Sequence, residues 1–134
     1  MILQLEKINV NYGLIPAIRN LSLEVNQGEI VALIGANGAG KTTILRTISG
    51  LLRTTSGKIV YLGKDVAKEK PHKIVAAGIS HVPERRGIFA NLTVYENLLM
   101  GAFTRKLQPV DLEEVYTLFP RIKERLKQVG GTLS

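Results

Sequence analysis

The period of apolar and polar positions changes several times along the chain, and each change marks an element. Leu21, Leu23 and Val25 alternate with Ser22 and Glu24, the period of a strand with one buried face. Asn26-Gln27-Gly28 supplies a turn. Ile30 to Ile34 is then continuously apolar and predicts a strand buried on both faces. Beyond a glycine-rich segment, Ile44, Leu45, Ile48, Leu51 and Leu52 fall on one helical face, which Thr55-Ser56-Gly57 ends. Ile59 to Leu62 predicts another strand with Gly63-Lys64 as its turn, and Ile79 to Val82 a further one stopped by Pro83. Between them Pro71 opens a short helix and Gly78 closes it.

The last third reads as helices. Thr93-Val94-Tyr95-Glu96 has capping-box spacing, in which hydroxyl and carboxylate each satisfy an amide of the first turn. That helix runs to about Met100, with Gly101 beyond it. Asp111 is the expected cap of the next, whose face is Leu112, Val115, Tyr116 and Phe119. Pro120 opens a last one carrying Ile122, Leu126 and Val129.

Composition narrows the chemistry. The 134 residues suffice for one domain with a core, and 45% apolar content excludes a disordered chain. With no cysteine there are no disulfides, thiolate metal sites or cysteine nucleophile. No apolar run approaches the roughly 20 residues of a spanning helix, and the first residues carry no signal-peptide pattern. The net charge of +7 raises nucleic acid as a partner. The basic residues are scattered among acidic ones, however, and aromatic content is low. A solvated basic surface is the better reading, and no nucleic-acid partner is expected. His72 and His81 lack partners at ligand spacing.

The chemistry lies in Gly35-Ala36-Asn37-Gly38-Ala39-Gly40-Lys41-Thr42, a complete G-x-x-x-x-G-K-[ST] motif between the apolar run and a helix. A triphosphate is a compact polyanion, best held by converging backbone amides that only small residues let come close. A helix N-terminus adds a favourable dipole. Lys41 can reach the β- and γ-phosphates, and Thr42 can offer its hydroxyl to Mg²⁺.

These residues resemble the Walker A segment of ABC-transporter ATPases. Tyr12-Gly13 stands where that family places an adenine-stacking aromatic. His81 to Phe89 resembles its Q-loop region, and Leu92 to Leu98 the opening of its helical subdomain. Asn26 to Thr43, the Val82–Arg86 stretch and Leu118 to Arg125 are similar to the ATP-binding subunits of branched-chain amino acid importers, with urea and amide importers close behind. Gly131-Thr132-Leu133-Ser134 resembles the approach to the signature motif.

The resemblance implies an α/β P-loop NTPase core with an N-terminal antiparallel β subdomain and the start of a helical subdomain, in an incomplete ABC ATPase domain. Residues 1–90 would be the core part and 91–134 the beginning of the helical part. It implies ATP and Mg²⁺ as cofactors. The nucleotide set would be Tyr12, Gly35, Asn37, Gly38, Ala39, Gly40, Lys41, Thr42 and Thr43, the last facing the α-phosphate. Thr42 and Glu84 would form the metal set. Most of the family has Gln at the position of Glu84, which also relays movement to the membrane subunits. Ser134 would face a γ-phosphate held by a partner. The implied partners are integral membrane permease subunits, a second ABC ATPase subunit and, indirectly, a periplasmic or extracellular substrate-binding protein. The implied location is cytoplasmic, peripheral on the inner face of the cell membrane. These 134 residues contain no Walker B carboxylates, so no catalytic residue is assigned, and an inactive nucleotide-binding fragment is the alternative. A GTPase would show N-K-x-D, which the sequence lacks.

Overall fold

The structure, a computed structural model, describes residues 1–84 and 87–133. Arg85, Arg86 and Ser134, which figure in the resemblance, lie outside the described residues. The chain falls into two compact units, Met1–His81 and Val82–Ser134. No helix among the described residues is long and apolar enough to cross a membrane.

The first unit is built on an antiparallel sheet. β1 (Leu3–Tyr12) and β2 (Ile15–Val25) form a hairpin. β3 (Ser56–Tyr61) pairs with the other edge of β1, and the short β4 (Lys64–Asp65) pairs with β3, giving the order β2-β1-β3-β4. α1 (Lys41–Ile48) and α2 (Pro71–Ala76) complete the unit. Leu5, Ile8 and Val10 of β1 are buried with Ile18, Ile59, Ile44 of α1 and Ile74 of α2. Each side chain so buried contributes roughly 1.5–3 kcal/mol.

Strict alternation would send Ile8 to the opposite face from Leu5. The pairing registers of β1 shift between Leu5 and Ile8 against β2, and between Glu6 and Asn9 against β3. Lys7 takes a φ of 46° within that interval. The extra residue resets the alternation and returns Ile8 to the core. Gly57 makes the crossing possible. A Cβ there would lie 2.5 Å from the Glu6 carbonyl oxygen and 2.7 Å from both Ile8 Cα and the Lys7 carbonyl oxygen.

Four sequence expectations change in this part of the chain. The turn expected at Gly63-Lys64 falls at Leu62-Gly63, with Lys64 already in β4. Ile30 to Ile34 forms no strand, and Ile30 and Ile34 are 97% and 95% exposed. A strand takes its hydrogen bonds from neighbours, and no described strand pairs with this run. Ile79 to Val82 is likewise not a strand: the Ile79 amide closes on the Ile74 carbonyl at the end of α2, and Val82 is exposed. α1 is also shorter than its apolar face suggested. Gly50 (φ 74°) places its amide on Thr47 O and lets Leu51 bond Arg46 O at 2.8 Å, a Schellman stop that leaves Leu45 and Leu51 half exposed.

The second unit is helical: α3 (Val94–Gly101), α4 (Pro109–Leu118) and α5 (Pro120–Glu124), followed by a 3-10 turn at Gly130–Thr132. The predicted capping box of α3 forms. Thr93 Oγ1 accepts the Glu96 amide at 3.2 Å, and Glu96 Oε2 accepts the Thr93 amide at 2.8 Å. Gly101 is the last residue of α3 rather than the first beyond it. Asp111 does not stand at the cap of α4. Gln108 does, and Asp111 reaches back three residues to accept its amide at 2.7 Å. α5 stops at Glu124, so Leu126 and Val129 lie beyond it.

Candidate phosphate-binding site

The loop from Gly35 to Gly40 is shaped by backbone conformations that side chains resist. Gly38 and Gly40 take φ values of 84° and 93°. The Ala39 amide donates to Ala36 O at 3.1 Å and closes a turn around Asn37 and Gly38. Gly40 is the N-cap of α1, and Ile44 makes the first helical bond to its carbonyl at 2.9 Å. Neither a side-chain cap nor an acidic residue occupies the first turn. The positive end of the helix dipole therefore faces the loop without a carboxylate to offset it.

Lys41 is the first residue of α1, and its side chain turns back over the loop. Nζ donates to Gly35 O at 2.6 Å and to Ala36 O at 2.7 Å. These bonds hold the ammonium against the loop. Thr42 follows on the exposed side of the helix start, while Thr43 is buried. Its hydroxyl lies 3.3 Å from that of Tyr12, the last residue of β1. Asn37 and Ala39 are exposed on the loop. The structure thus brings Tyr12, the glycines, Asn37, Ala39 and Lys41 to Thr43 into one region of the first unit. Glu84 is exposed and belongs to the second unit.

Two features of the site had no local signal. The Tyr12–Thr43 contact joins residues 31 apart in sequence. Behind the site, Ser49 Oγ donates to Leu45 O at 2.9 Å and meets His81 Nδ1 at 3.1 Å, which gives His81 a structural partner at the end of α1. Among the described residues no group of three His, Asp or Glu is placed to hold a metal.

The donor set fits a nucleotide triphosphate with Mg²⁺. It offers a cation held at the loop, a helix-start dipole, a hydroxyl at Thr42 and, at the positive-φ Gly38, a position whose Cβ side is open.

The sequence profile described as ABC transporter matches residues 18–134. The high-affinity branched-chain amino acid transport ATP-binding protein BraG of Pseudomonas aeruginosa is 45% identical over 98% of this chain and 58% of its own length. The probable branched-chain amino acid transport ATP-binding protein LivF of Archaeoglobus fulgidus is 34% identical over 96% of this chain and 55% of its own. A solved ATP-binding subunit of an ABC transporter superposes with a TM-score of 0.86 at 28% identity, covering all of this chain and 56% of the other. The chain spans a little over half the length of these relatives.

Proposed function

The chain belongs to the ABC transporter family, and from that premise we propose that it is the ATP-binding portion of an importer subunit, with branched-chain amino acids as the cargo. The observation that carries the nucleotide reading is Lys41, whose ammonium is held against Gly35 and Ala36 at the start of α1. The two importer relatives support the cargo.

Each residue has a definable task. Lys41 exchanges its two carbonyl contacts for phosphate oxygens, which gives stronger charge-assisted bonds. The backbone of Gly38 to Lys41 holds the phosphates in a fixed orientation. Thr42 would supply a hydroxyl ligand to a bound Mg²⁺. Bound Mg²⁺ would neutralise charge on the β- and γ-phosphates. The half-exposed ring of Tyr12 offers a face to adenine, worth on the order of 1 kcal/mol. Thr43, tied to Tyr12 and buried, holds ring and loop together beside the α-phosphate. Glu84 would serve coupling with the permease. The full assembly would add permease subunits, a second ATPase subunit and a substrate-binding protein at the inner face of the membrane.

Competition among ATP, GTP and ADP for the chain tests the nucleotide reading. ATP with Mg²⁺ is expected to bind and GTP to compete poorly, and a clear GTP preference would contradict it. A second reading, binding without hydrolysis, rests on the lack of Walker B carboxylates in these 134 residues. Water activation needs a positioned base or orienting group. Phosphate release by the 134 residues is expected at background, and steady turnover would overturn that reading.

A further inference from the structure

Asn97 lies in the first turn of α3 with each polar atom of its side chain engaged. Oδ1 accepts the Phe89 amide at 2.8 Å. Nδ2 faces the carbonyls of Thr93 at 2.9 Å, Phe89 at 3.0 Å and Leu92 at 3.3 Å. The surroundings fix which end is which. The Phe89 amide needs an acceptor and the carbonyls on the other side can only accept, so one orientation fits, with the two amide hydrogens shared among the three carbonyls. A side chain on a helix thereby pairs with both backbone groups of Phe89, as a neighbouring strand would.

The same turn holds a second segment. Leu92 O accepts the Gly130 amide at 2.8 Å, and Ala90 O accepts the Gly131 amide at 3.0 Å. A Cβ at Gly130 would stand 3.0 Å from Asn97 Nδ2 and 3.2 Å from Leu92 O. Glycine is what lets this backbone lie against the amide. The Val94 amide adds a bond to Gln128 O at 2.9 Å, and Thr93 and Val129 form an isolated antiparallel bridge.

We propose that Asn97 is a positioning residue that locks the Phe89–Leu92 turn and the Gly130–Gly131 backbone to α3 as one body, so that displacement of either segment carries the other with it. Its functional meaning rests on the proposed function, in which Glu84 serves coupling to the permease, and on the family resemblance, which implies that Ser134 faces a partner's nucleotide. Asn97 would then link the two mechanically. The lock itself needs no nucleotide. Alanine at this position removes every side-chain bond. Aspartate keeps the shape but sets a second carboxylate oxygen against three carbonyls.

Hydrogen exchange at single-amide resolution on the whole chain tests the lock, using Asn97→Asp and Asn97→Ala. Both variants are expected to speed exchange at Phe89, Gly130 and Gly131 together, by about ten-fold, the loss of a net hydrogen bond near 1.4 kcal/mol. Amides of α4 and of the β1–β3 ladder keep native rates. Acidification that protonates the introduced carboxyl restores one donor. Exchange relative to the native chain at the same pH then recovers in Asn97→Asp and not in Asn97→Ala. Loosening at Phe89 without loosening at Gly130 and Gly131 overturns the proposal. Uniform loosening of the whole second unit does so too, because it makes Asn97 a general stabiliser. Both variants should bind Mg-ATP as the native chain does. A native chain that binds no Mg-ATP would remove the nucleotide reading and leave the exchange result to decide the lock.

Discussion

The hydroxyls of Tyr12 and Thr43 stand 3.3 Å apart and join the end of β1 to the first turn of α1. The sheet and the phosphate loop are therefore connected by a direct bond between two residues of the proposed nucleotide set. Thr47 Oγ1 extends the chain of contacts by donating to Thr43 O at 2.7 Å.

Tyr12→Phe separates the two roles of this ring. It keeps the aromatic face and loses the bond to Thr43. Stability should fall by about 0.5–1.5 kcal/mol, with Mg-ATP affinity close to native. Tyr12→Ala should weaken Mg-ATP by about five-fold through loss of stacking. Denaturant unfolding and calorimetric titration on the same samples check both. Equal affinity of Tyr12→Ala and native chain would remove the stacking role.

Gly57 carries the crossing of β3 over the irregular part of β1. Gly57→Ala combines a φ of 90° with a Cβ 2.5 Å from a backbone oxygen that cannot swing away. The expected loss is about 3 kcal/mol or more, read by urea unfolding. Gly13→Ala is the control: φ is 59° and nothing lies within 4 Å of its Cβ. It should cost about 1 kcal/mol.

The start of α4 sets a pH dependence. Arg105 gives Asp111 two bonds, at 2.7 and 2.8 Å, and the Gln108 amide adds a third. Together, with Arg105 first, they hold the Asp111 carboxyl at about 2. The Thr93 amide and hydroxyl lower Glu96 in the same direction. Both folded values lie below those of the unfolded chain, so their stabilisation is complete at neutral pH. For Asp111 it fades as pH falls from about 4 toward 2. A carboxyl-detected NMR titration should place Asp111 near 2, and Arg105→Gln should raise it. A native midpoint near 4 would contradict the arrangement.

What the sequence made legible was what short stretches of chain determine. The loop from Gly35 to Thr42 and the box of Thr93 and Glu96 each need only a few consecutive residues, and both form. The start of α4 was misplaced because Asp111 is a good cap by type. Pro109, a residue suited to the first helical position, marks the true start after Gln108. Ile30 to Ile34 reads as a buried strand because its side chains suit one, but strand pairing is decided by a neighbour that the run itself cannot specify. The Tyr12–Thr43 bond and the reach of Asn97 to Phe89 are products of the fold, without a periodic or motif signal in the chain.

The central claim is that Lys41 and its loop hold the phosphates of ATP. Calorimetric titration of Mg-ATP into the native chain and into Lys41→Ala tests it most directly. Truncation leaves the helix start and the glycine backbone in place and removes the cation, and a charge-assisted contact of this kind is worth about 1.5–3 kcal/mol. Affinity should therefore fall by ten-fold or more with the unfolding midpoint little changed. Equal Mg-ATP affinity in the two proteins, both shown to be folded, would contradict the account.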